Sequence, residues 1–191
     1  MKIIYYEIIF ITEIMKDRKR NRMKGFDYSS NNIYFVTICV KNRLCCFGSV
    51  GTGRDLSTHH NHSDKNQLEI KINLNKYGLI VEKKIIWLEE QYSYVEIHNY
   101  VIMPNHIHVI LEINNIRIKN LDIKIKSLSS IIGVLKTTSS KAIHLNGFED
   151  FSWQRSFHDH IIRNEKAYVN IDNYINLNPE KWHQDTFFIA T

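Results

Sequence analysis

The sequence predicts an α+β domain in which helices cover one face of an antiparallel sheet. Three observations carry that prediction. Strand signals, by alternation or by β-branched and aromatic runs, recur at 33–40, 67–73, 94–103 and 106–113. Asn75 and Asn164 each stand where an N-cap would open a helix. Pro104-Asn105 joins two strand signals by a tight turn, which sets those neighbours antiparallel.

The elements follow in order. Residues 1–16, MKIIYYEIIFITEIMK, are apolar, but Glu7 and Glu13 interrupt them. No small-residue cleavage site follows, and the run is too short to span a bilayer. It reads as an extra strand or helix, or as an extension from an early start codon, since Met15 and Met23 lie just downstream. A membrane-surface segment is the third reading. Residues 16–24, KDRKRNRMK, form a basic arm, either solvated or in contact with phosphates. IYFVTICV (33–40) is a buried strand. Residues 48–66 contain three glycines and a cluster of polar residues, and read as a loop with His59, His60 and His62 near its tip.

QLEIKIN (67–73) alternates as a half-exposed strand does, and Asn75 then caps a helix to about Gln91. Leu79, Ile80, Ile86 and Trp87 are expected to form its buried stripe. YVEIHNYVIM (94–103) and HIHVILEI (106–113) are strands on either side of the Pro104 turn. Residues 114–126 are a basic insertion, a hairpin extension or a mobile loop. A helix is expected over 127–144, a strand-like end to 151–162, and a last helix from Glu165 to about Leu177, stopped by Pro179.

Composition bounds the class. The chain has 191 residues with 43% hydrophobic and 24% charged, enough for one ordinary domain and unlike a disordered chain. A net charge of +5 leans towards a polyanionic partner. Cys39, Cys45 and Cys46 form neither a disulfide framework nor a CxxC metal pair, so a reducing cytoplasm is expected.

His106-Ile107-His108 carries the chemistry. On a strand, residues two apart share a face, so the two imidazoles stand side by side while Ile107, Val109 and Leu111 point into the core. That spacing suits two ligands of one divalent cation. His158-Asp159-His160 has the same spacing, and local context favours the first pair because its alternation is cleaner. Tyr174 and Asn178, four apart, share a helix face if the helix persists, although Pro179 biases Asn178 away from helical backbone. A tyrosine hydroxyl becomes a useful nucleophile only when a metal polarises its electrophile and the attack is held in line.

These residues, with MKGFDYS (23–29), YFVTICVKNRLCCFG (34–48), NKYGLIVEKKIIW (75–87), YVIMPNHIHVILEI (100–113), GVLKTTSSKAI (133–143), WQRSFHDHIIRNEK (153–166) and YINLNPEKW (174–182), resemble the IS200-like tyrosine transposases. The likeness is to the group associated with repetitive extragenic palindromes (REPs), single-tyrosine nucleases of the HUH class. It covers roughly residues 18–186, leaving 1–17 as an extra segment and 187–191 as a tail. It implies a ferredoxin-like HUH architecture, His106 and His108 as metal ligands, Asn178 as the third, and Tyr174 as nucleophile. It implies Mg²⁺ or Mn²⁺ as cofactor and single-stranded hairpin DNA as substrate, cut through a 5′-phosphotyrosine link. Candidate DNA contacts are the arm from Arg18 to Lys24, with Tyr28, Lys136, Lys141, Arg155 and Arg163. Relatives occur as monomers and as dimers, and no membrane association is expected. Two alternatives stand beside active cleavage: a protein that only binds hairpin DNA, and a phosphodiesterase without covalent intermediate that uses His106, His108 and His160.

Overall fold

The computed structural model describes residues 22–53, 69–118 and 123–188. Its strands are β1 (Asn32–Cys39), β2 (Gly48–Gly53), β3 (Glu69–Leu74), β4 (Val95–Met103), β5 (His106–Ile113) and β6 (His158–Ile162). Its helices are α1 (Lys76–Gln91), α2 (Leu128–Leu145) and α3 (Glu165–Leu177). The main sheet is antiparallel with the order β4-β5-β1-β6, and β2 pairs with β3 in a separate ribbon.

β5 lies inside the sheet, and its side chains are buried on both faces apart from half-buried Glu112. Ile107, Val109, Leu111 and Ile113 join one core with Val81, Ile85 and Leu88 of α1 and Leu128, Ile131, Ile132 and Leu135 of α2. The alternate set points the other way: Ile110 packs with Ile162 and with Ile175 of α3, bordered by Phe35 and Val101. Helices therefore cover both faces, not one. The reason is β5 itself, which is apolar or imidazole-bearing at every position from His106 to Leu111 and needs cover on each side.

The caps behave as the sequence predicts. Asn75 accepts from the amides of Tyr77 and Gly78, and Asn164 accepts from Ala167. The stripe of α1 is shifted, however. Gly78, Val81, Ile85 and Leu88 are buried, whereas Leu79 and Ile86 are 45% and 44% exposed. Gly78 sets this rotation, because a Cβ there would collide with the carbonyl of Phe47, so the helix lies with its smallest residue against the chain.

Residues 48–53, expected within a loop, form β2, paired from Gly48↔Leu74 to Gly53↔Glu69. His59, His60 and His62 lie outside the described residues, as do residues 1–21. Of the 114–126 insertion, Asn115–Ile118 make a 3-10 turn, and 119–122 lie outside the described residues. β4 carries a bulge between Ile97 and Asn99, which turns both His98 and Asn99 towards α3. No described helix is long and apolar enough to cross a membrane.

Candidate metal and nucleophile site

The site lies on the sheet face covered by α3. His106 and His108 are 0% and 1% exposed, and their Nε2 atoms lie 3.0 Å apart. Each ring is oriented from behind. Asn105 donates through Nδ2 to the carbonyls of Arg43 and Phe187, so its Oδ1 faces His106 Nδ1 at 2.8 Å. That oxygen can only accept, which places the proton of His106 on Nδ1 and the lone pair on Nε2. His108 Nδ1 lies 2.8 Å from the Thr37 hydroxyl, directly across from it in the β1–β5 register. A hydroxyl can donate or accept, so Thr37 supports either neutral tautomer of His108.

Burial pushes both imidazoles down to about 3; the Arg43 charge adds to this at His106, and His106 adds to it at His108. Both rings are therefore neutral at physiological pH, the form in which histidine binds metal. Two donors about 2.1 Å from one octahedral ion lie about 3.0 Å apart, which matches the imidazole pair.

Tyr174, on α3, puts its hydroxyl 3.2 Å from His108 Nε2 and its ring edge-on to Phe35. It is 42% exposed, so substrate can reach it while the histidines stay covered. Burial raises its pKa, Asp185 adds to that, and a hydrogen bond from Asn178 opposes it. The phenol is thus protonated at neutral pH.

Asn178 is buried near the same point, and its backbone is helical (φ −59°, ψ −40°) despite Pro179. As the C-cap of α3 it keeps helical backbone one residue past the helix, so Tyr174 and Asn178 stay on one face. Its Nδ2 donates to Asp185 Oδ2 at 3.1 Å, and its buried Oδ1 has no partner among the described residues. Asp185 is the residue that sequence reasoning missed. Its Oδ2 lies 4.0 Å from His106 Nε2, and with His106 and His108 it makes a three-residue group able to hold a metal. The donor set is then two imidazoles, one carboxylate and an orphaned amide oxygen, which fits a divalent cation of the Mg²⁺ or Mn²⁺ type. Trp182 and Phe187 lie against the His106 ring at 6.0 and 4.6 Å between centroids. Phe187, assigned to a tail by the sequence, is thus part of the wall of the site.

α3 is tied to β4 by polar contacts beside the site. His98 Nδ1 meets the Tyr168 hydroxyl at 3.1 Å, and Asn99 Nδ2 reaches Asp172 and Asn176 at 2.6 and 3.0 Å. His158 and His160 are exposed on β6, opposite Thr37 and Phe35, and form no described metal group.

The candidate DNA contacts divide. Lys24, Lys141, Arg155 and Arg163 are exposed. Lys136 is not available to phosphate, because its ammonium donates to the carbonyls of Gln154, Arg155 and Ser156 at 2.8–3.3 Å. Tyr28 is not an open stacking platform, since its ring packs on Phe26 and Tyr34 and its hydroxyl accepts from the Met23 amide. Of the arm from Arg18, only Arg22 to Lys24 are described.

Comparison with solved structures shows the fold: this α+β sheet is similar to that of a solved REP-associated tyrosine transposase. A structure of a REP-associated tyrosine transposase bound to a REP hairpin superposes with a TM-score of 0.51 and 22% identity, covering 84% of this chain and 72% of that one. An uncharacterized protein of Haemophilus influenzae is 30% identical over 185 residues, 90% of this chain and 93% of that protein. The chain belongs to the same family as the Haemophilus protein. No family model matches the sequence.

Proposed function

We propose that this chain is a metal-dependent nuclease and strand transferase acting on single-stranded DNA, with Tyr174 as nucleophile. One observation carries the reading: the Tyr174 hydroxyl lies 3.2 Å from one of two buried imidazole nitrogens that are themselves 3.0 Å apart. A nucleophile and a ready metal-donor pair share one site. A solved structure with this fold is a REP-associated tyrosine transposase bound to a REP hairpin, which supports hairpin-bearing DNA as the substrate class.

When bound, Mg²⁺ or Mn²⁺ supplies Lewis-acid polarisation of the scissile phosphate. His106, His108 and Asp185 would hold it, with the Asn178 amide oxygen as a fourth donor. Asn105 and Thr37 fix the imidazoles from behind, and Trp182 and Phe187 keep bulk water off His106. α3, held at β4, aims the Tyr174 oxygen at the phosphorus. That oxygen attacks and gives up its proton; the bond from phosphorus to the 3′ oxygen breaks, and its electron pair leaves as a 3′-hydroxyl after protonation. The 5′ end stays on Tyr174. A 3′-hydroxyl from another strand reverses the step and rejoins DNA, so no ATP is consumed.

The test is covalent trapping. Labelled single-stranded hairpin DNA and Mn²⁺ should give a protein–DNA band on a denaturing gel, lost in Tyr174→Phe and in His106→Ala. Strand cleavage that persists in Tyr174→Phe would replace the phosphotyrosine route with direct hydrolysis. Binding without an adduct across several hairpins and both metals would leave a DNA-binding protein.

A further inference from the structure

A cleft opens beside the wall of the site, on the far side of Arg43. It consists of two hollows of about 660 and 590 Å³ that meet at Trp153, Gln154 and Arg155. The first is also lined by Lys41, Asn42 and Arg43, and the second by Ser140, Lys141 and His144. Among the described residues, no carboxylate lines either hollow. Lys41, Arg43, Lys141 and Arg155 are all exposed. Lys136 shapes the wall between them by drawing the carbonyls of residues 154–156 onto its ammonium.

The cleft is joined to the metal and nucleophile site. The Arg43 guanidinium lies 5.1 Å over the Phe187 ring, which also meets the His106 and His108 rings at 4.6 and 6.2 Å between centroids. The carbonyl of Arg43 accepts from the Asn105 amide that orients His106. The backbone here is also held in an unusual state: Asn42 and Arg43 are consecutive non-glycine residues at φ 57° and 54°. Such left-handed pairs persist only where the surroundings fix them, and they concentrate at functional sites. The Arg43 amide to Val40 and the Lys41 amide to Ser152 do the fixing.

We propose that this cleft is the track of the single-stranded DNA leading to Tyr174, with Lys41, Arg43, Arg155 and Lys141 on its phosphates. The inference rests on the strand-transfer reading above. A row of cations spaced along a concave wall, with Asn42, Gln154 and His144 between them, suits a flexible backbone whose bases are unpaired.

Salt dependence of binding tests this. Affinity of the full chain for labelled oligo-dT, in EDTA, is measured against salt by fluorescence anisotropy. Each lost phosphate contact on a single strand lowers the log–log slope by about 0.7, so replacing all four cations by Ala should lower it by about 3. A control with Lys83, Lys124, Lys126 and Lys166 changed to Ala removes equal charge from other surfaces and should keep the slope. Lys141→Glu with Arg155→Glu, both exposed side chains, repeats the test if the fourfold variant does not fold. Equal loss in the cleft and control variants would overturn the track and assign binding to bulk charge. Preferential binding of duplex over single strand would overturn it too. Trapping by the wild type separates the two claims: an adduct with unchanged slopes sinks the track alone, whereas no binding and no adduct sinks both.

Discussion

Acid should destabilise this protein through two side chains. His106 and His108 sit neutral with pKa values near 3, against an ordinary 6.5. A histidine depressed in the folded state contributes its stabilising bias fully above the unfolded pKa and loses it as pH falls towards the folded one. Between pH 7 and pH 5 the unfolded chain takes up about one proton on each ring, while the folded chain takes up almost none. Integrating that difference gives about 2 kcal/mol per histidine, or about 4 kcal/mol for the pair. The figure depends chiefly on the unfolded value and holds for any folded pKa well below 5. Against a total stability of about 5–15 kcal/mol, it is a large fraction. Urea denaturation at pH 7 and pH 5 in EDTA, read by circular dichroism, should therefore show the wild type losing about 4 kcal/mol more than a His106→Asn, His108→Asn variant. Mn²⁺, if held by the folded site, should raise stability at both pH values and leave the difference between them unchanged, because the folded rings carry almost no protons in this range. Equal losses in the two proteins would refute the assignment of these rings as buried neutral bases.

Other outcomes follow from the same geometry. Thr37→Val removes the hydroxyl behind His108 and should weaken Mn²⁺ binding about 10- to 100-fold in a titration, with the fold intact by circular dichroism. Asn99→Ala cuts the link from β4 to Asp172 and Asn176 and should cost about 1–2 kcal/mol in urea unfolding. Gly78→Ala, which in an open helix stabilises by up to about 1 kcal/mol, should here destabilise, since the new Cβ meets the Phe47 carbonyl; a rise in thermal midpoint would contradict the packing. Ile175→Ala empties the small core under α3 and should cost about 2–5 kcal/mol, lowering trapping yield together with stability.

Much of the site was legible because its signals are local. Strand alternation at 106–113 places both histidines on one face and Ile107, Val109 and Leu111 on the other, and the described structure matches. Asn75 and Asn164 announce their helices through capping chemistry that needs no tertiary context. What stayed hidden depends on partners distant in sequence. β2 reads GSVGTG and has little strand propensity; it is a strand because β3 lies beside it. Asp185 reaches the histidines only after the chain turns past Pro179 through a 3-10 turn, Trp182–Gln184, and no spacing rule marks it. Half of the stripe expected for α1 holds, since Ile80 and Trp87 pack against the core, but Leu79 and Ile86 face solvent because contact with the Phe47 carbonyl turns Gly78 inward. The β4 bulge leaves no trace in an alternation pattern, yet it supplies His98 and Asn99 to α3.

The hydroxyl of Thr37 has a practical consequence. Without a cation, it can donate to His108 Nδ1, leaving His108 Nε2–H to donate to His106 Nε2, so that hydrogen bonds run unbroken from Thr37 to Asn105. Were a cation to take the Nε2 lone pairs, Thr37 would accept instead and the His108 proton would sit on Nδ1. Loading and stripping would then amount to relocating protons within a fixed frame. One purified batch, cleared by chelator, could be refilled in turn with different ions, and any difference in trapping yield between them would report the ion and not the preparation.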